Sequence, residues 1–336
     1  MSLEFPFFTG QARQPPASAQ TVPVPDRSRY TDPAGYLTDG DLVAAVNVAL
    51  LLGQPLLLTG EAGTGKTQLA HRLAWELALG EPLEFHTKST STARDLFYSF
   101  DAVRRFQAKQ TETGSSNVLD YITFNALGVA ILLACGDEIA RKYLPARQLG
   151  GNSRRVVLID EVDKAPRDFP NDLLHEIDNM SFRVPELVDR DFDGEFKAST
   201  QDRPIVVMTS NSEKNLPDAF LRRCVFYHIQ FPGKNQLLAI LQSRLPSLKD
   251  SSPKLRDDAV DTLEKIRKQP LRKPPATAEL INWVQALERH GAQRDASVQA
   301  NRTALRASLP ALAKTREDFD SLLQFFGFSR ESATGG

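Results

Sequence analysis

Gly60-Glu61-Ala62-Gly63-Thr64-Gly65-Lys66-Thr67 is a glycine-rich turn that closes on a lysine and a hydroxyl. It fits the spacing G-x-x-x-x-G-K-[ST] in full. Glycines let the backbone curl so that successive N–H groups point inward at phosphate oxygens, and a following helix adds its positive N-terminal end. Lys66 brings a mobile point charge to the β and γ phosphates, and the Thr67 hydroxyl ligates Mg²⁺. The flanks suit this motif. Leu56-Leu57-Leu58 is a short apolar run of the kind found in a buried parallel strand. Leu69, Leu73, Ala74 and Leu77 then recur at helical spacing, which predicts a helix over residues 66–79 with Gly80 as its stop.

Working outward, the pattern repeats. Residues 39–53 read as a helix introduced by Asp39 and Asp41 and ended by Gly53. Further strands are predicted at residues 83–85, 156–159, 205–208 and 225–231. Helices fall between them, one running to about residue 143 and one near residues 171–179. Phe182-Arg183-Val184-Pro185 precedes the fourth strand, with the acidic run Asp189-Arg190-Asp191-Phe192-Asp193-Gly194-Glu195 lengthening the approach. Strands alternating with helices imply an α/β fold, a parallel sheet with flanking helices. Beyond Pro232 only helices are predicted, near residues 234–244, 256–268, 277–290, 300–314 and 316–327. The expected organisation is an extended Pro-rich arm over residues 1–38, an α/β nucleotide-binding domain over 39–232, an all-helical domain over 233–328 and a loose tail over 329–336.

Composition narrows the field. The chain has 336 residues, 41% hydrophobic and 25% charged, which is ordinary for a globular protein and excludes a wholly disordered chain or a collagen-like fibre. Its 41 basic residues nearly cancel its 42 acidic ones, and no basic block stands out, which argues against a protein built on the phosphate backbone of nucleic acid. Cys135 and Cys224 have apolar neighbours and no metal-ligand spacing, so they read as buried free thiols in a reducing compartment. The first ten residues lack a basic start, so no signal peptide is expected there. The longest apolar stretch, residues 126–135, is about half of the ~20 residues a membrane span needs. A cytoplasmic location is the expectation.

Three further patterns bear on chemistry. Val156-Val157-Leu158-Ile159 ends in Asp160-Glu161. A carboxylate at the tip of a strand beside the phosphate strand reaches a Mg²⁺ ion, which gives Asp160 the metal side and leaves Glu161 to polarise a water for in-line attack. Ile205-Val206-Val207-Met208 ends in Thr209-Ser210-Asn211, where Asn211, or else Thr209, could hold the attacking water. Arg222 and Arg223 precede the last strand, and by spacing alone they are either surface arginines or a finger reaching a neighbouring subunit.

Taken in order, GEAGTGKT, VVLIDEVDKAP, VVMTSN and PDAFLRRC followed by helices resemble the AAA+ ATPases, over residues 38–290. Asp160-Glu161-Val162-Asp163-Lys164-Ala165-Pro166, followed by Asn171-Asp172-Leu173-Leu174-His175-Glu176, resembles the DEINRAP…NALLE pattern of the MoxR branch, near the subgroup of carbon monoxide dehydrogenase maturation and gas-vesicle ATPases. The resemblance implies a P-loop NTPase core with a C-terminal helical lid, ATP and Mg²⁺ as ligands, and a homo-oligomeric ring, usually a hexamer. It also implies chaperone-like work on a client complex such as a metalloenzyme, with a von Willebrand factor A domain protein as partner. Alignment of LRRC with the family's LDRF makes Arg223 the finger. In the helical part, Pro275-Ala276-Thr277-Ala278-Glu279-Leu280 departs from the pattern, since Glu279 stands where the family has a nucleotide-contacting arginine; Arg272 or Lys273 is the candidate substitute.

The remaining candidates are weaker. His71, His86, His175, His228 and His290 are far apart in sequence and lack metal-ligand spacing. Ser89-Thr90-Ser91-Thr92 reads as a loop and cap for the turn from Ala93, and the resemblance offers projection of the segment to Phe106 towards a pore or partner instead. Phe5, Phe7 and Phe8 could dock the N-terminal arm on a neighbouring protomer. Two other functional classes remain, a nucleic-acid motor or loader and a slow nucleotide-gated scaffold.

Overall fold

The computed structural model describes residues 32–111, 115, 117–212, 216–245 and 254–329. Most of the N-terminal arm, with Phe5, Phe7 and Phe8, and nearly all of the tail lie outside the described residues. Two compact units are present, Tyr36–Gln230 and a second made of Met1–Gly35 with Phe231–Gly336.

The larger unit begins with α1 (Gly40–Leu52), capped by the Asp39 carboxylate on the Leu42 N–H at 2.7 Å and ended by left-handed Gly53. Then follow β1 (Leu56–Gly60), α2 (Lys66–Glu76) and β2 (Leu83–His86). Next come β3 (Tyr98–Phe100), α3 (Ala102–Thr111), β4 (Ile122–Phe124), α4 (Ala126–Ala134) and α5 (Asp137–Tyr143). The rest is β5 (Val156–Asp160), α6 (Phe169–Asp172), α7 (Leu174–Asn179), β6 (Ser181–Arg183), β7 (Glu195–Lys197), β8 (Ile205–Ser210), α8 (Asp218–Leu221) and β9 (Val225–Ile229).

Five strands form one parallel sheet in the order β2-β5-β8-β1-β9. Because side chains alternate along a strand, each strand feeds two cores. Leu57, Val157, Ile159, Val206 and Met208 face one side, under α4. Leu56, Leu58, Val156, Leu158 and Val207 face the other, with Leu69 and Leu73 of α2 and Leu42 of α1. Each fully buried leucine or valine contributes about 1.5–3 kcal/mol, so the run of apolar residues in these strands is needed on both faces. All nine residues of α4 are buried, as expected of a helix that is apolar all round. Trp75, by contrast, is 53% exposed near the end of α2, with the Arg72 guanidinium 4.8 Å from its ring.

Several elements differ from the sequence reading. The single helix expected up to residue 143 is two, because Gly136 takes φ 105° and starts a new helix. Tyr98–Phe100 and Ile122–Phe124 pair as an antiparallel hairpin around α3, which three-residue strands give too short a pattern to reveal. The helix near residues 171–179 is broken at Leu173, and left-handed Met180 ends it. Thr92 caps its turn reciprocally with Asp95, while Leu96, Phe97 and Tyr98 are core and Phe106 is exposed. A second hairpin, β6 with β7, carries the acidic run in its loop.

The described part of the smaller unit is helical: α9 (Lys234–Arg244), α10 (Lys254–Arg267), α11 (Thr277–Arg289), α12 (Arg302–Ser308) and α13 (Arg316–Phe325), after a short turn at Pro33–Gly35. They close on Trp283, which is fully buried and donates its indole N–H to Ser308 Oγ at 3.0 Å.

Candidate nucleotide site

The C-terminal ends of β5, β8 and β1 lie side by side in that order; β8 stands between the Asp160 strand and the phosphate strand, which are therefore not adjacent as the sequence suggests. Leu58 lies opposite Thr209, and Ile159 lies opposite Met208, so the glycine-rich loop, Asp160-Glu161 and Asn211 emerge at the same edge of the sheet. Ligands of open α/β sheets bind at that edge.

The loop needs its glycines. Gly60 has φ 146°, and a Cβ there would stand 2.5 Å from the Ile229 carbonyl oxygen. Gly65 takes φ 92° and ψ 17° and gives α2 no side-chain cap. The first N–H groups of α2 therefore have no acceptor from the cap residue, which suits an anion. Glu61, Ala62, Gly63 and Thr64 complete the curl, and the Thr64 hydroxyl donates to the Glu61 carbonyl at 2.8 Å.

Lys66 is only 7% exposed. Its ammonium donates to the carbonyls of Gly60 at 2.8 Å and Glu61 at 2.9 Å, and to Asn211 Oδ1 at 3.1 Å. Burial lowers its pKa, opposed by Asp160, Asp163, Glu161 and Glu61 nearby. The Thr67 hydroxyl donates to Asp160 Oδ1 at 3.1 Å, which leaves its lone pairs free for a hard cation. Asp160 Oδ1 also accepts from Thr209 Oγ1 at 2.5 Å, and Thr209 Oγ1 in turn accepts the Glu161 N–H at 2.9 Å. Glu161 sits in left-handed backbone, φ 56° and ψ 50°, with its carboxylate paired to Lys164. The Asn211 N–H donates to Asp163 Oδ1 at 3.2 Å. An oxygen-rich cluster with an ammonium and an uncapped helix start fits a nucleoside triphosphate with Mg²⁺.

Arg223 is bonded to none of these residues. Its Nε pairs with Asp178 Oδ2 of α7 at 3.2 Å, both side chains about half exposed, while the Arg222 side chain is exposed. Cys224 beside it and Cys135 after α4 are both half-buried rather than buried, and burial with the Asp178 charge pushes the Cys224 thiol up to about 12, so it is unreactive at neutral pH. In the helical unit, Glu279 acts locally. It accepts the Ala276 N–H at 3.1 Å at the start of α11 and pairs with Lys314 at 3.2 Å. The Asp318 carboxylate accepts the backbone N–H groups of Arg272 and Lys273 at 2.8 and 3.3 Å, and the Arg272 side chain pairs with Glu317.

Sequence reasoning missed Asp163, Lys164 and His86, which the structure brings to the cluster. Asp163 and Lys164 follow the acidic pair and were legible as neighbours. His86 had no local signal, since only strand pairing sets it opposite Asp160.

A parallel sheet with this loop between β1 and α2 and a carboxylate at the tip of β5 defines a P-loop nucleoside triphosphatase. The chain belongs to the AAA domain family (dynein-related subfamily), whose model matches residues 55–224. Members of this family bind nucleotide, typically with Mg²⁺, and hydrolyse it, and AAA+ proteins commonly assemble as rings. The RuvB Holliday junction branch migration motor of Thermotoga maritima is 15% identical, over 85% of this chain and 67% of that one, with a TM-score of 0.41. A point mutant of the same RuvB gives 16% identity over 84% and 67%, with a TM-score of 0.41. No curated protein matches the chain. Among the described residues no helix is long and apolar enough to cross a membrane.

Proposed function

We propose that the chain is a Mg²⁺-dependent ATPase that works in a homo-oligomeric ring and remodels or matures a client protein complex. The observation that carries this reading is the meeting of Lys66, Thr67, Asp160, Glu161 and Asn211 at the ends of three adjacent strands. The backbone of residues 60–67 cradles the phosphates, and Lys66 leaves its carbonyl partners to neutralise the β and γ oxygens. Thr67 and Asp160 hold Mg²⁺, which when bound neutralises charge on the phosphates. Glu161 orients and polarises the attacking water, and Asn211, already bonded to Lys66, holds that water and senses the γ-phosphate. Arg223 exchanges Asp178 for the phosphates of a neighbouring subunit; fingers of this kind contribute ~10³–10⁵ in rate.

The client reading rests on the MoxR-like DEVDKAP run and on the near-neutral charge, which favours a protein client over nucleic acid. A metalloenzyme complex and a von Willebrand factor A domain partner are the candidates that this resemblance supplies.

The test compares Lys66→Ala and Glu161→Gln with wild type, measuring nucleotide affinity, turnover and size in solution. Lys66→Ala is expected to lose nucleotide binding. Glu161→Gln should bind ATP as wild type does, lose about 100-fold or more of its turnover and remain assembled. Wild-type turnover in the Gln variant overturns the role given to Glu161.

A further inference from the structure

We propose that His86 is a positioning residue for Asp160, holding the carboxylate oxygen that the hydroxyls leave free. The inference rests on the nucleotide-site reading above and deepens it. Oδ1 of Asp160 takes two donors, Thr67 at 3.1 Å and Thr209 at 2.5 Å. A carboxylate held at one oxygen pivots about it, and Oδ2 needs a second anchor to fix the plane. His86 Nδ1 stands 3.4 Å from Oδ2.

The placement is built into the sheet. β2 pairs with β5 in a register that sets His86 directly opposite Asp160, and the next N–H, of Thr87, donates to the Asp160 carbonyl at 3.1 Å. The other side of the imidazole also has a carboxylate beside it. Its Nε2 faces Glu84 Oε2 at 3.3 Å, and the other Glu84 oxygen faces His71 Nε2 at 3.2 Å. His71 Nδ1 reaches Glu81 at 3.6 Å. Histidine and carboxylate thus alternate from Asp160 to the exposed Glu81. Outer partners of this kind orient a metal-side carboxylate, and their loss typically lowers metal affinity about 10- to 100-fold. The His86 side chain is 64% exposed, so its removal opens no cavity in the core.

The test titrates the full chain with a fluorescent ADP analogue, once in excess Mg²⁺ and once in EDTA. The ratio of the two affinities measures how well the metal side is set. His86→Ala is expected to lower that ratio about tenfold while the EDTA affinity stays at the wild-type value. His86→Asn, whose side-chain amide can donate near the position of Nδ1, should restore most of the ratio. A merely structural role would weaken binding equally in both media. An unchanged ratio in His86→Ala, an equal loss in both media, or an Asn variant no better than Ala overturns the proposal. A wild type that gains nothing from Mg²⁺ overturns the nucleotide-site reading, and this proposal with it; that outcome is visible before any variant is made.

Discussion

Glu161 lies in the left-handed region that L residues enter at a cost of roughly 1–2 kcal/mol. Its N–H is bonded to Thr209 and its carboxylate to Lys164, a pairing too exposed to contribute much. Glycine has no such penalty, although it adds freedom to the unfolded chain. Glu161→Gly is therefore expected to raise stability by about 0.5 kcal/mol, read from denaturant midpoints, while turnover is lost. Lower stability in that variant would show that the Lys164 pair outweighs the backbone strain. Lys66 presents the same tension in another form. Its hydrogen bonds to two loop carbonyls and Asn211 satisfy a buried ammonium, and in the proposed function the two carbonyl bonds are the ones exchanged for phosphate.

Packing decides at the scale of elements. Gly128 in α4 is the tightest point: a Cβ there would lie 2.0 Å from the Phe97 carbonyl oxygen, and both sides of that contact are backbone. Gly128→Ala is expected to destabilise the protein by about 3 kcal/mol or more, measured by urea unfolding. A change below 1 kcal/mol, on the same overpacking scale, would show that α4 shifts freely. This contact marks what sequence could and could not show. The glycine-rich loop and the acidic pair were legible because their chemistry is written in consecutive residues. β1, β5 and β8 were legible because burial on both faces leaves continuous apolar runs. The β3–β4 hairpin and the His86–Asp160 pair depend on strands far apart in sequence, and no local period records them. Glu279 was legible as a departure from the arginine pattern, but its cap on Ala276 and its bond to Lys314 needed the folded helix start.

On the scale of the whole molecule, the two units have separate cores, one pair of layers on the sheet and one cluster around Trp283. Units with their own cores need not melt together. Calorimetry is expected to resolve two transitions, and a nucleotide at 100 times its Kd should raise that of the Tyr36–Gln230 unit by about 2.7 kcal/mol of stability. A single transition at all nucleotide concentrations would mean that the units unfold as one. The chain has two tryptophans, and they are divided between the units: Trp75 is 53% exposed on the helix that starts at the phosphate loop, and Trp283 is fully buried among the C-terminal helices. With that difference in exposure, Trp75 is expected to emit to the red of Trp283, as a fluorescence spectrum would show. The protein thus carries two intrinsic optical channels, and its own spectrum can follow each unit without any added dye.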